Sequence, residues 1–174
     1  MMRFDRFTES AQDAAQRAVE ILQRYGQNQI DTEHFLLALI EQPQGTVSQI
    51  LDEMNVSTAV LSDWLDYMLR TNTKTNIYGG GSGQIFITPN VRRIVDQAYI
   101  EANRLKDEYT STEHIFLAIL NEKGTPVAKL MEEFGTTRAK VYEIVVKMHD
   151  NKNAPVQNKD SRYKNLQKYS RDLT

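Results

Sequence analysis

The chain has 174 residues and a formal net charge of -2, with 40% hydrophobic and 25% charged residues and no cysteine. That apolar fraction fills one core, or two small ones packed together, and excludes wholesale disorder; a balance this close to neutral offers no basic field for nucleic acid or an anionic membrane. Without cysteine there is neither a disulfide nor a thiolate metal site, and there is neither a signal-peptide core nor an apolar run near the roughly 18 residues of a membrane span, so the expectation is a soluble, cytoplasmic chain.

In chain order, Phe7, Ala11, Ala14, Ala18, Val19 and Leu22 recur at helical spacing and Thr8 stands where an N-cap belongs, which predicts an amphipathic helix between Phe7 and Tyr25. Thr32 is placed to cap a second helix. Its residues Phe35 to Ile40 are apolar all round, the mark of a helix buried on most sides and therefore central to its half. Gly45-Thr46 opens a short third helix carrying Val47, Ile50, Leu51 and Met54, and Ser57 caps a fourth carrying Leu61, Trp64, Leu65 and Met68. Residues 72–86 are polar and then glycine-rich, a flexible connector, and from Gln84 to Thr88 the chain has room for a brief extended stretch. Thr88-Pro89 starts a fifth helix, because proline suits a first turn whose N–H has no partner anyway. Helices beginning at Thr112, carrying Val127 to Phe134 and carrying Val141 to Met148 complete the count.

The second four helices repeat the first. Thr32-Glu33-His34 returns as Thr112-Glu113-His114, a displacement of 80 residues, and at the same displacement Thr8 meets Thr88, Ala18 meets Ala98, Val47 meets Val127 and Met68 meets Met148, with no gap. The expected fold is all-α: about eight helices in two four-helix pseudo-repeats, residues 1–71 and 87–150, packed as one compact bundle with paired surfaces. Residues 151–174 turn polar and then offer Tyr163, Leu166, Tyr169 and Leu173 as a weak stripe with nothing left to pack on, as expected of a linker leading into a longer protein.

Catalytic and metal chemistry find little support in the residues. A phosphate loop needs Gly-Lys-Ser/Thr, whereas Gly83 is followed by Gln84 and Ile85. Glu33-His34 and Glu113-His114 are helix neighbours about 100° apart and neither continues into a zinc-hydrolase spacing, so no metal is expected. With three histidines and no cysteine, no nucleophilic triad can be assembled. His34 and His114 read as structural imidazoles that bond to backbone or anchor a helix start.

Binding remains. Thr8 and Thr88 each open a helix, where unpaired N–H groups and the positive end of the dipole attract anions, and Glu33 or Glu113 would add recognition of a guanidinium. The competing reading is that the threonines are only caps and the glutamates only complement helix dipoles.

The opening Arg3-Phe4-Asp5-Arg6-Phe7-Thr8, the doubled Thr-Glu-His with its apolar run, the glycine-rich connector and the tail from Tyr163 to Thr174 together resemble the N-terminal domain of Clp-family AAA+ unfoldases, with the ClpB and ClpC branches nearest. The tail differs from the family pattern in having Ser170 where glycine is usual. The resemblance implies a non-catalytic, mobile docking module that receives unfolded, aggregated or tagged proteins and adaptors for a chaperone of protein quality control. ATP and Mg would bind in ATPase domains beyond residue 174, and the isolated domain would be a monomer of a hexameric parent. In the ClpC branch it implies two phosphoarginine sites, Thr8 with Glu33 and Thr88 with Glu113; in the ClpB branch, a groove over the same surface for apolar stretches of unfolded protein. The alternative is a stand-alone helical-repeat interaction or scaffolding module.

Overall fold

A computed structural model describes residues 6–71 and 84–153, so residues 1–5, most of the expected connector and the tail from 154 onward lie outside the described residues. Among the described residues eight α-helices and two very short strands follow in the order α1 (Glu9–Arg24), β1 (Gln29–Ile30), α2 (Thr32–Glu41), α3 (Thr46–Glu53), α4 (Thr58–Thr71), β2 (Phe86–Ile87), α5 (Pro89–Arg104), α6 (Thr112–Asn121), α7 (Pro126–Glu133) and α8 (Arg138–Asn153). The all-α expectation holds, and α8 continues past the expected boundary at residue 150.

Local chemistry explains most boundaries. Thr8 accepts the Ala11 N–H at 3.1 Å and Thr88 accepts the Val91 N–H at 3.3 Å, so both cap as the sequence predicts. Ser57 likewise accepts the Val60 N–H at 3.2 Å, and Gly45 stands at the N-cap of α3. Each half's first helix ends on a residue with φ near -90°, followed by the left-handed Gly26 in one half and Lys106 in the other.

The second helix of each half begins one residue earlier than expected. Asp31 and Ser111, not Thr32 and Thr112, are the N-caps; they hold extended backbone, and Thr32 and Thr112 are fully buried first-turn residues. The correction has a physical reason. His34 Nδ1 accepts the Asp31 backbone N–H at 2.9 Å and His114 Nδ1 accepts that of Ser111 at 2.8 Å, so histidine closes a capping box where glutamate is usual.

α2 and α6 are buried from their first turns onward, including Leu37 and Leu117, and they touch at the centre of one core that takes residues from both halves. The backbone pairings that flank this core cross between halves. β1 pairs in parallel with β2, Gln29 opposite Phe86 and Ile30 opposite Ile87, while a parallel bridge joins Phe7 to Thr110. Displacement by 80 carries one pairing into the other, which expresses the pseudo-twofold relation of the repeats in hydrogen bonds.

Candidate functional site

Because the pairings cross, the predicted site residues are brought together across the halves. The Thr8 N–H donates to the Thr110 carbonyl at 2.9 Å and its hydroxyl donates to Ser111 Oγ at 3.1 Å, so the α1 start lies beside the helix that carries Glu113. The Thr88 N–H donates to the Ile30 carbonyl at 3.1 Å and its hydroxyl to Asp31 Oδ1 at 3.1 Å, beside the helix that carries Glu33. These bonds link Thr8 with the Glu113 helix and Thr88 with the Glu33 helix, whereas motif order couples Thr8 with Glu33 and Thr88 with Glu113. The two arrangements also differ in charge: a carboxylate stands against Thr88, a neutral hydroxyl against Thr8.

Glu33 is 4% exposed, and its carboxylate accepts the Thr32 hydroxyl at 3.3 Å. Burial, and then the Asp31 carboxylate nearby, push its pKa above the ordinary glutamate value. Among the described residues no lysine, arginine or histidine forms an ion pair with it. Glu113 is less buried and faces a cavity of about 250 Å³ shared with Thr46, Asp107 and His149.

The histidines that close the capping boxes are committed on their other nitrogen. His34 meets Gln27 Oε1 through Nε2 at 2.8 Å, and since its Nδ1 accepts a backbone N–H the neutral Nε2–H tautomer is required. Burial lowers its pKa to about 4, against a smaller opposing effect of Asp31. In the second half the place of Gln27 is taken by Asp107, which receives His114 at 2.9 Å and His149 of α8 at 2.8 Å, whereas the first half has Leu69 where the second has His149.

A second feature escaped the sequence reading. An apolar groove of about 500 Å³ runs between α1, the two strands and the start of α5, walled by Ala15, Val19, Ile30, Phe35, Ile87 and Val91. At its edge Ile85 is 41% exposed, while Gln12 and Gln16 of α1 add polar groups to the lining. Displacement by 80 places Phe7, Tyr99 and Thr110 in the second half where the first has Ile87, Val19 and Ile30. There the Phe7 and Tyr99 rings pack 6.0 Å apart, and the cavity beside them is lined by Arg6, Asn103, Asp107 and Glu108. One half keeps an open apolar groove and the other a polar one. The signal was present in the repeat comparison, at the positions that fail to match.

The chain matches the Clp repeat N-terminal domain model over residues 6–134. It is 33% identical over 99% of its length to a chaperone protein ClpB of Nitratidesulfovibrio vulgaris, and 28% identical over 99% to one of Bacillus anthracis. In both cases the chain spans 20% of the relative's length. Among solved structures, the Hsp104 N-terminal domain of Candida albicans superposes with a TM-score of 0.69 at 17% identity, covering 83% of this chain and 91% of that one. A ClpV N-domain in complex with a VipB peptide gives 0.62 at 16% identity, covering 83% and 88%. With its doubled four-helix unit, its crossed pairings and this match over most of its length, the chain belongs to the Clp repeat N-terminal domain family.

Proposed function

We propose that this chain is the protein-docking domain of a Clp-type, ATP-driven unfoldase or disaggregase, and that the groove between α1, the strands and α5 takes an apolar stretch of client or adaptor polypeptide. The observation that carries this reading is the groove itself. Its walls are mostly aliphatic and aromatic, with Gln12 and Gln16 on the α1 side, and Ile85 at its edge is 41% exposed, a surface that gains free energy when something apolar covers it. The ClpB relatives are named as chaperones and a ClpV N-domain of the same fold has a bound VipB peptide, which supports a docking role. In this reading ATP and Mg are bound by ATPase domains outside the chain, in a cytoplasmic hexamer.

The test is a fluorescence anisotropy titration of a permanently unfolded polypeptide with the 174-residue chain. Binding should weaken about tenfold in Ile85→Ser, whose side chain is exposed and whose loss leaves the fold alone. Equal affinity of the two proteins would remove the groove from the mechanism.

A second reading rests on Glu33, a buried carboxylate without a described cation, which is the arrangement a guanidinium ligand completes. In this reading Thr8, Glu33, Thr88 and Glu113 hold arginine-phosphorylated side chains. The neutral Thr8–Ser111 corner suits the phosphate better than the Thr88–Asp31 corner, where Asp31 repels it. Free phosphoarginine should then shift the amide resonances of Thr8, Glu33, Thr88 and Glu113. A silent spectrum would leave only the groove.

A further inference from the structure

On the second half, away from the crossed strands, a cavity of about 370 Å³ opens between the end of α6, α7 and the start of α8. Its wall includes Lys123, Glu132, Thr136, Thr137, Arg138 and Ala139. Three independent features there suit an anion. The first is the α8 start: the Thr137 hydroxyl takes the Lys140 N–H at 3.3 Å and the Thr137 carbonyl takes that of Val141 at 3.0 Å, while the N–H groups of Arg138 and Ala139 have no partner among the described residues. The second is Thr136, 1% exposed, whose hydroxyl has no hydrogen-bond partner although burial of an unpaired hydroxyl is costly. The third is positive charge. Lys123 is exposed at the mouth, and Arg138 gives Nε and Nη2 to Glu101 at 2.8 and 2.5 Å, which orients its guanidinium and leaves the Nη1 donors for another acceptor.

The first repeat serves as an internal control. At the matching positions it carries Pro43 for Lys123, Val56 for Thr136 and Thr58 for Arg138. The first repeat also has Ile21 where the second has the buried Glu101, so the Glu101 ion pair accounts for Arg138, whereas helix packing at this corner needs neither Lys123 nor the Thr136 hydroxyl. Two carboxylates stand nearby. Glu101 is fully buried and neutralised by Arg138 with Arg104 at 3.7 Å, whereas Glu132 is exposed and has no described partner. A carboxylate beside an anion is repulsive unless the anion brings a proton to donate to it.

We propose that this cavity is a binding site for monohydrogen phosphate, held by the Arg138 and Ala139 N–H groups, the Thr136 hydroxyl and Lys123, with the anion's own hydroxyl donated to Glu132. Sulfate has the same shape and charge but no proton for Glu132, so the site discriminates between the two. It is separate from the groove and from Thr8, Glu33, Thr88 and Glu113, and does not depend on the docking reading.

The experiment is an amide NMR titration of the 174-residue chain with inorganic phosphate at pH 7 and fixed ionic strength, with sulfate in a parallel arm. Saturable shifts at Thr136, Arg138 and Ala139 are expected, with phosphate bound about tenfold more tightly than sulfate. Thr136→Val, which installs the residue of the first repeat, and Lys123→Gln at the exposed mouth should each weaken phosphate about fivefold. Because Lys123 is exposed, its variant keeps the test valid even where Thr136→Val perturbs the fold. No saturation by about 20 mM, or equal binding of the two anions, would overturn the assignment.

Discussion

Phe7 packs against Tyr99 with ring centroids 6.0 Å apart, and the residues at the matching places in the other half are Ile87 and Val19. The smaller pair leaves the apolar groove open. Ile87→Phe with Val19→Tyr should therefore fill its apolar floor with the ring pair of the second half. Both positions are half-buried, so the added rings have room, and the melting temperature should change little. Affinity for an unfolded polypeptide should fall about tenfold, read by anisotropy. Retained binding would place docking elsewhere.

Glu33→Gln should stabilise the domain. The amide keeps an oxygen for the Thr32 hydroxyl and removes a charge whose pKa is raised by burial and by Asp31, so folding no longer carries the desolvation of that carboxylate at neutral pH. Thermal unfolding at pH 7 should show a Tm higher by a few degrees, the shift that about 1 kcal/mol produces in a domain of this size. The difference should vanish at acid pH, where Glu33 itself is protonated. If Glu33 also receives a guanidinium, the stabilised variant loses that ligand, a trade of stability for binding.

Stability should decline as pH falls below about 6.5, in part because of His34. Its folded pKa is near 4, below the unfolded value, so the unfolded chain binds the proton more readily; the contribution is complete above the unfolded pKa and is lost between there and about 4. Urea unfolding at pH 7 and pH 5 measures the slope. His34→Leu should flatten it and lower stability at pH 7 by about 2 kcal/mol, since the Asp31 N–H and Gln27 Oε1 both lose a buried partner. An unchanged slope would show that His34 does not titrate there.

Asp107→Asn tests the different wiring of the second half. The carboxylate receives His114 on one oxygen and His149 on the other, tying the α6 capping box to the last turns of α8. An amide can accept on only one side. Hydrogen exchange around His149 should quicken while the α6 core stays protected, at a cost of about 1–3 kcal/mol. Uniform exchange across both helices would show that the tie is not local.

Much of the fold is legible in the sequence because helix caps are local. Thr8, Ser57 and Thr88 each announce a start that depends on the next three residues alone. The starts of α2 and α6 are legible only to within one residue, because Asp31 and Ser111 are as good caps as Thr32 and Thr112 and the deciding bond comes from a histidine that does not usually close the box. The crossed pairings could not be read, since strands of two residues leave no period of alternation. For the same reason motif order does not show that Thr8 bonds to the helix start of the other half. The groove was hidden differently: it is made by residues smaller than their counterparts, and a search for agreement between repeats passes over disagreement.

The crossed pairing also bears on ancestry. Each half offers its leading segment to its neighbour and receives the same segment in return, which is the isologous contact of a twofold homodimer. A single-repeat forerunner would have met a second copy of itself in this way. On one chain the same contact is made within a molecule, at an effective concentration set by the tether. Dilution cannot separate partners joined in this way, and two halves held together by the tether can carry unlike clefts, one oily and the other polar.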